Sequence, residues 1–220
     1  IGGTSLSDAV FIPPAHEELP ELLSDLELFL NNTNINIPHL IRIAIAHYQF
    51  ETIHPFLDGN GRIGRLLISL YLVHSKVLQK PLLYLSDFFE KNKTLYYDNL
   101  TFVRTKNDMS QWIKYFLEGV SQTAENSAQT LKKIIELKTD LEKNKLLSLG
   151  KRTKTANEFL YFLFHSPVIT STALQKEMKI TAKTANSLID AFIGLNILKE
   201  RTGYSRNRIF VFDKYVELFM

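Results

Sequence analysis

The chain has 220 residues, of which 45% are apolar and 22% are charged, a balance typical of a globular protein with a buried core. It contains no cysteine, which excludes disulfides, thiolate nucleophiles and cysteine-ligated metal centres and fits a cytoplasmic location. Residues 1–149 carry 15 Lys and Arg against 17 Asp and Glu, whereas residues 150–220 carry 11 against 6. This asymmetry indicates two modules with different partners, without the strong charge of a dedicated polyanion binder.

The first half of the chain reads mainly as helix. Glycine and proline surround a short apolar run in residues 1–15, which predicts an extended segment or a hairpin. Apolar residues then recur at steps of three and four over residues 20–30 and 38–53, which predicts two helices with buried faces. Because Pro55 disfavours helical geometry at His54, the second helix should end there.

A third helix is predicted from about residue 60 to 75, so the segment after His54 is a loop that joins two helices. Its most apolar part, residues 66–73, is far shorter than the roughly 20 residues of a membrane-spanning helix, and no membrane partner is expected. Further helical patterns cover residues 86–104 and 110–146.

Gly150 breaks this periodicity, and we place the domain boundary there, between residues 1–149 and 150–220. Three short helices followed by two extended segments around a glycine-containing turn are typical of a winged helix-turn-helix. The predicted fold is therefore mainly α, a helical bundle followed by a small winged-helix domain. The predicted elements of this second domain are helices over 154–165, 171–178 and 182–194 and strands over 197–201 and 208–212.

The loop Asp58-Gly59-Asn60-Gly61 has the composition of a phosphate site, because its glycines let the backbone approach a ligand and the next helix offers free N–H groups. Arg62 and Arg65 lie on nearly the same helix face and can both donate to polyphosphate oxygens. Asp58 is the kind of oxygen ligand that holds Mg²⁺ beside phosphates. His54 belongs to the residue type best suited to proton abstraction near neutral pH.

Taken singly, each of these features has a structural alternative. A histidine before proline can cap a helix, Asp-Gly-Asn-Gly can be a simple turn, and two arginines can form a solvated helix face. Their occurrence together within twelve residues favours a catalytic site.

The run His54-Pro55-Phe56-Leu57-Asp58-Gly59-Asn60-Gly61-Arg62-Ile63-Gly64-Arg65 resembles the Fic family motif, His-x-Phe-x-Asp/Glu-Gly-Asn-Gly-Lys/Arg-x-x-Arg, at every specified position. The likeness extends to residues 9–14 and to Tyr96 and Tyr97. It implies a Fic-type helical bundle with a short β-hairpin flap at about residues 3–12. It also implies a protein adenylyltransferase, which moves AMP from ATP to a Ser, Thr or Tyr hydroxyl of a target protein or of itself.

The resemblance implies a role for each motif position. His54 would deprotonate the target hydroxyl that attacks the α-phosphorus of ATP, Phe56 would be buried and anchor the loop, and Asp58 would hold Mg²⁺. The target protein would dock along the flap by strand addition. Tyr97 would lie towards the adenine, although Tyr96 and Tyr97 can equally be core residues. The remaining nucleotide contacts implied are Gly59, Asn60 and Gly61 at the anion hole, Arg62 and Arg65 at the β- and γ-phosphates, and Gly64 beside them.

Other reactions on the same loop stay open. Fic-fold relatives include Doc-type kinases that transfer the γ-phosphate and enzymes that transfer phosphocholine, and the reverse reaction would remove AMP from a modified protein. Doc-like loops depart from Gly-Asn-Gly, which this chain retains, so AMP transfer is favoured. A non-enzymatic nucleotide sensor or scaffold is the remaining alternative for this domain.

The second domain offers a competing function, DNA binding by a regulator. Residues 181–187 open the predicted recognition helix with polar side chains, and Arg201, Arg206 and Arg208 could place a wing on phosphates, so residues 181–208 form the candidate DNA surface. Winged helices also dimerise or dock on proteins, which makes a second copy of the chain another candidate partner.

Control of the site is expected to lie outside this sequence. The family's inhibitory pattern, Ser/Thr-x-x-x-Glu-Gly/Asn, has no plausible match here, and in the arrangement resembled most it precedes the flap. The start Ile1-Gly2 lacks both an initiator methionine and a signal peptide, so we expect a preceding segment that inhibits through Arg65.

Overall fold

The computed structural model describes residues 1–2, 7–204 and 206–219. The chain divides into two compact units, Ile1–Ser127 and Ala128–Met220, each with its own hydrophobic core. The boundary predicted at Gly150 lies inside the second unit, because Leu141 and Leu146 are fully buried in the core of that unit. Gly150 does interrupt the helical course of the chain, with φ of 56°.

The described part of the chain is mainly helical, as the sequence predicted. It also contains one small three-stranded sheet, whose first strand, Val168–Thr170, the sequence did not predict. None of its helices combines the length and apolar character needed to cross a membrane. The helices of the first unit are α1 (Leu19–Asn31), α2 (His39–Ile53), α3 (Asn60–His74), α4 (Leu85–Lys91), α5 (Lys93–Lys106) and α6 (Met109–Asp140), whose last residues belong to the second unit.

The helices predicted over 20–30, 38–53 and 60–75 are confirmed to within a residue or two. The pattern over 86–104 proves to be two helices, α4 and α5, which meet at Asn92. The last predicted helix ends as α6 at Asp140, and short irregular helical turns follow to Arg152. Helix ends are the least predictable part of an element because they depend on local hydrogen bonds.

Helix α2 lies at the centre of the first unit. Side chains on every face of it are buried, which is typical of a helix surrounded by others. Helices α1 and α3 both pack against it, and the indole Nε1 of Trp112 on α6 donates to the backbone oxygen of Ala44 at 2.8 Å. The loop that follows α2 therefore starts from a fixed point in the core.

The predicted flap lies partly outside the described residues, which omit residues 3–6. Residues 7–12 carry no assigned strand. The amides of Val10 and Phe11 donate to the oxygen of Ile1 at 3.0 and 3.2 Å, and the amino group of Ile1 donates to the oxygen of Phe11 at 2.7 Å. The described ends of this segment are thus bonded to each other.

The second unit alternates helices and short strands. Strands β1 (Val168–Thr170) and β2 (Lys199–Glu200) both pair with β3 (Ile209–Val211) in antiparallel fashion. Ile169 lies opposite Phe210, and Lys199 lies opposite Val211. The hydroxyls of Thr170 and Thr181 cap the helices that follow them. The elements are α7 (Thr153–His165), β1 (Val168–Thr170), α8 (Ser171–Met178), α9 (Ala182–Gly194), β2 (Lys199–Glu200), β3 (Ile209–Val211) and α10 (Asp213–Val216).

Candidate active site

Helix α2 ends at His54, which adopts a left-handed conformation with φ of 50° and ψ of 56°. Its backbone N–H still donates to the oxygen of Phe50 at 3.0 Å. A positive φ is uncommon outside glycine and is typical of a residue that turns the chain out of a helix. The helix therefore stops where Pro55 predicted, and the candidate base is the residue at the turn.

Asn60 fixes the loop that follows. Its side chain is 2% exposed, its Oδ1 accepts from the N–H of Phe56 at 2.9 Å, and its Nδ2 donates to the oxygen of Phe56 at 2.5 Å. This amide thus satisfies both backbone groups of the residue four positions earlier and holds the loop closed.

The prediction that Phe56 is buried is wrong. Its side chain is 45% exposed, and its ring centroid lies 6.4 Å from that of Phe50. The physical reason is that the loop is anchored through the backbone of Phe56 by Asn60, so the phenyl ring is not needed as the anchor.

The cradle predicted from the glycines lies at the start of α3. Gly59 has φ of 87° and precedes the first helical residue, so it turns the chain into the helix in a conformation that favours glycine. The first N–H groups of a helix have no partner within it and attract anions, aided by the helix dipole. At the lip of this cradle Arg62 Nη2 donates to Asp58 Oδ2 at 2.9 Å, and both side chains are largely exposed.

A cleft of about 230 Å³ opens beside this cradle. It brings together six of the predicted site residues. Its other lining residues come from α4 and α5, and sequence reasoning missed all of them except Tyr96. One of those missed, Lys93, lies 3.7 Å from the carboxylate of Glu90. The cleft is lined by Asp58, Gly59, Gly61, Arg62, Arg65 and Tyr97 of the predicted set and by Phe89, Glu90, Lys93 and Tyr96.

The two tyrosines on α5 take different places. Tyr96 is 5% exposed and its hydroxyl lies 3.0 Å from Nε2 of His47 in the core. Tyr97 is 53% exposed at the cleft, with its ring edge-on to that of Tyr96 at 5.3 Å. Tyr97 alone thus keeps a largely exposed aromatic surface for a ligand.

Gly64 does not line the cleft. It faces α2, where a Cβ atom added to it would lie 2.5 Å from Oε1 of Glu51 and 3.1 Å from Cε1 of His47. The close approach of α2 and α3 at this position leaves little room for a side chain and accounts for the glycine. A nucleotide contact was predicted for Gly64, but the described geometry does not bring this residue to the cleft.

A cluster of ionisable side chains lies beneath the cradle. His47 is fully buried and Glu51 is 7% exposed, and neither Nδ1 of His47 nor Oε1 of Glu51 has a hydrogen-bond partner among the described residues. Burial lowers the pKa of His47 to about 4. Burial raises the pKa of Glu51 to about 7, against the opposing charges of Arg65 and Arg104.

Sequence reasoning missed Glu51 and Arg104. Glu51 had one signal, since an acidic residue four positions after His47 on an otherwise buried helix must face the core or a site. Arg104 had none, because its place depends on how α5 packs against α2.

His54 is partly buried, and burial lowers the pKa of its ring, with the backbone of Glu51 opposing this shift and Arg104 acting in the same direction as burial. This shift favours the neutral imidazole, which is the form that accepts a proton. Its buried Nδ1 has no hydrogen-bond partner among the described residues. His54 lies at the start of the loop between α2 and α3, and the cradle lies at its end.

Within the described residues, no group of three or more histidine, aspartate and glutamate side chains is arranged to hold a metal. Mg²⁺ does not require such a group, since it commonly takes one or two carboxylates and completes its shell with phosphate oxygens and water. The exposed carboxylate of Asp58, next to the cradle, fits that requirement.

Residues 4–72 match the family model described as the Fic/DOC family. The chain contains a Fic/DOC family domain. The matched segment begins in the predicted flap, ends within α3 and includes the whole loop from His54 to Arg65. Tyr97 and Arg104 lie beyond it.

Among similar curated proteins, "Protein adenylyltransferase fic-1" of Caenorhabditis elegans is 42% identical over 66 residues, 30% of this chain and 13% of the relative. "Protein adenylyltransferase Fic" of Culex quinquefasciatus is 32% identical over 117 residues, 51% of this chain and 21% of the relative. The matched regions thus span about a fifth or less of the length of these relatives. A crystal structure of a Fic family protein from Desulfovibrio desulfuricans G20 aligns with 96% of this chain and 59% of its own, with a TM-score of 0.52 and 22% identity, and shows the fold.

Proposed function

We propose that this chain is a protein adenylyltransferase that transfers AMP from ATP to a Ser, Thr or Tyr hydroxyl of a target protein, and also of itself. The observation that carries the proposal is the loop from His54 to Arg65, which joins a neutral imidazole to an anion cradle and two arginines. The names of the relatives support the choice of AMP as the transferred group.

In the proposed reaction, His54 accepts the proton of the target hydroxyl while its oxygen forms a bond to the α-phosphorus of ATP. The bond between the α-phosphorus and the bridging oxygen to the β-phosphate breaks, and pyrophosphate leaves. The backbone N–H groups of residues 59–61 stabilise charge on the phosphate oxygens, and Arg62 and Arg65 hold the β- and γ-phosphates. Positioning and charge stabilisation supply most of the rate enhancement in such a transfer.

Asp58 is the residue that would hold Mg²⁺, which neutralises phosphate charge when bound. In the described structure the same carboxylate pairs with Arg62, so nucleotide binding would replace that ion pair with contacts to phosphate. Because the pair is largely exposed, breaking it costs little free energy. Tyr97 offers its ring to the adenine.

The target protein is proposed to lie along the flap, residues 3–12, as an added strand. The support for this is that Val10 and Ile12 are more than half exposed, while Phe11 between them lies against Arg104 of α5. The lack of cysteine supports a cytoplasmic setting.

We propose a second role for the second unit, DNA binding by a winged-helix module. It is supported by the order helix, strand, helix, helix, strand, strand and by the cationic side chains at the start of α9 and in the turn before β3. Lys183 and Arg152 line one cleft, and Arg206 and Arg208 line another, whereas Arg201 donates to Asp213 at 2.6 Å and is engaged within the fold. Dimerisation through the same module is the alternative.

The test of the transferase uses the chain with Mg²⁺ and ATP that carries a label on either the α- or the γ-phosphate, in the presence of a cell lysate. Protein labelled from the α-phosphate alone, with a mass gain of AMP, is the expected result. Label from the γ-phosphate would show a kinase instead, and loss of AMP from a premodified protein would show the reverse reaction.

The test of the second role measures DNA affinity at several salt concentrations. We expect binding at low salt that weakens steeply as salt rises, because each phosphate contact releases a counterion. Failure to bind DNA at low salt, with a dimer in sedimentation, would favour the alternative.

A further inference from the structure

Arg104 on α5 contacts the flap. Its guanidinium carbon lies 3.7 Å from the centroid of the Phe11 ring, a close stacking of a cation on an aromatic face. Phe11 is also the flap residue whose backbone N–H and oxygen both bond to Ile1. The side chain of Arg104 thus contacts Phe11, the residue whose backbone hydrogen bonds to Ile1 join the described ends of the flap.

The same guanidinium contacts the last turn of α2. Nη2 of Arg104 donates to the backbone oxygen of Glu51 at 3.5 Å, three residues before His54. Burial lowers the pKa of Arg104, while the Tyr48 hydroxyl and the Glu51 carboxylate oppose this shift. A partly buried arginine between two segments far apart in sequence loses rotamer freedom, so its contacts must offset that cost.

A second cation–aromatic pair on α5 shows what is unusual about this one. Lys106 lies 4.3 Å from the centroid of Phe102 on its own helix, a local pair four residues apart. No hydrogen bond, ion pair or ring contact joins Lys106 to α2 or to the described part of the flap. Arg104, two residues earlier, joins elements that are about 50 and 90 residues away in the chain.

We propose that Arg104 is a positioning residue that couples the flap, through Phe11, to the helical turn that carries His54. The inference rests on the proposed function, since the flap is where the target is proposed to lie. By contacting both segments with one rigid planar group, Arg104 would fix the distance between a docked target strand and the base. Its positive charge also favours the neutral form of His54, which is the form that accepts a proton.

Two measurements without substrate test this coupling. The variant R104M removes the charge and the planar group, F11L removes the aromatic face, and F102L is the matched control on the same helix. We expect R104M to raise the pKa of His54 in an NMR titration, with the signal assigned from an H54A sample. We expect hydrogen exchange at the amides of residues 10 and 11 to become about 5- to 30-fold faster in both R104M and F11L, but not in F102L.

Transfer kinetics give the functional readout. F11L is expected to raise KM for the target protein about 5- to 30-fold while KM for ATP stays unchanged. An unchanged His54 titration and unchanged exchange in R104M would overturn the coupling, and if R104M does not fold, unchanged exchange in F11L does so alone. If the wild-type chain shows no AMP transfer, the proposed function fails, and the titration and the exchange still decide whether Arg104 links the two segments.

Discussion

The rim of the cleft and the buried layer beneath it, which we call the floor, differ in their exposure and in how far apart in the chain their contacting residues lie. The rim, formed by Asp58, Arg62 and Tyr97, is more than half exposed, and its one ion pair is local, between residues four positions apart. The floor is formed by His47, Glu51 and Gly64, which do not line the cleft, and by Tyr96, which does. It is buried, and its contacts join three different helices. Residues free to contact a ligand are thus set on a floor whose groups are fixed by packing, which separates binding from stability.

His54 belongs to neither set, and its replacement should have the largest effect. We expect H54A to lower AMP transfer about 100- to 10,000-fold because no general base remains. ATP affinity should change little, since the ring does not line the cleft. Transfer is measured with α-labelled ATP and affinity by calorimetry.

Unchanged transfer in H54A would overturn its assignment as the base. A parallel loss of ATP affinity would show instead that the ring belongs with the cradle, and the separation of base from binding site would be wrong.

The contribution of Glu51 to stability at different pH values tests the electrostatics of the floor. Its pKa is raised from the ordinary value of 4.5 to about 7, so the fold favours the protonated carboxyl, and the stability it contributes is complete below pH 4.5 and lost as pH rises through 7. His47, with a pKa lowered to about 4, acts in the opposite sense and contributes stability above pH 6.5 that is lost towards pH 4. The groups that face Glu51 are His47 on α2, Arg65 on α3, and Tyr96 and Arg104 on α5.

Substitution E51Q removes the first of these two effects and keeps the shape of the side chain. The free energy of unfolding of E51Q, relative to wild type, should therefore grow by about 3 kcal/mol between pH 4.5 and 7 and then level off. Urea unfolding at several pH values measures it. A difference that does not change with pH would show that Glu51 is already ionised without penalty in the fold.

Gly64 tests the packing beneath the rim. We expect G64A to lower the free energy of unfolding by about 1–3 kcal/mol, because the added methyl group would overlap the Glu51 carboxylate. The matched control is G194A at the end of α9, where nothing lies within 4 Å of the added Cβ. Thermal unfolding measures both, and an equal loss in the two variants would mean that general helix effects explain the result.

The sequence was sufficient for the order of the helices and for most of the rim. Helix periodicity and Pro55 placed the end of α2, and the glycines placed the cradle, because both signals are local in the chain. Phe56 was misplaced because motif membership does not say whether a loop is anchored by a ring or by its backbone. Arg104 lay beyond prediction, and the sequence signal at Glu51 indicated only that its side chain faces the core or a site. The contacts of both residues arise only when α2, α3 and α5 pack together.

The smallest effect on stability is expected at the rim, where D58N makes the same change of carboxylate to amide as E51Q does on the floor. Asp58 is about nine-tenths exposed, so water weakens its ion pair with Arg62, and loss of the pair should cost less than about 0.5 kcal/mol. AMP transfer should nevertheless require more Mg²⁺, measured as the Mg²⁺ concentration for half-maximal rate. If D58N changed stability with pH as E51Q does, exposure would be a poor guide to function here, and rim and floor would have to be treated as one electrostatic unit. If it changed neither stability nor the Mg²⁺ requirement, Asp58 would serve only to hold Arg62 until ATP arrives.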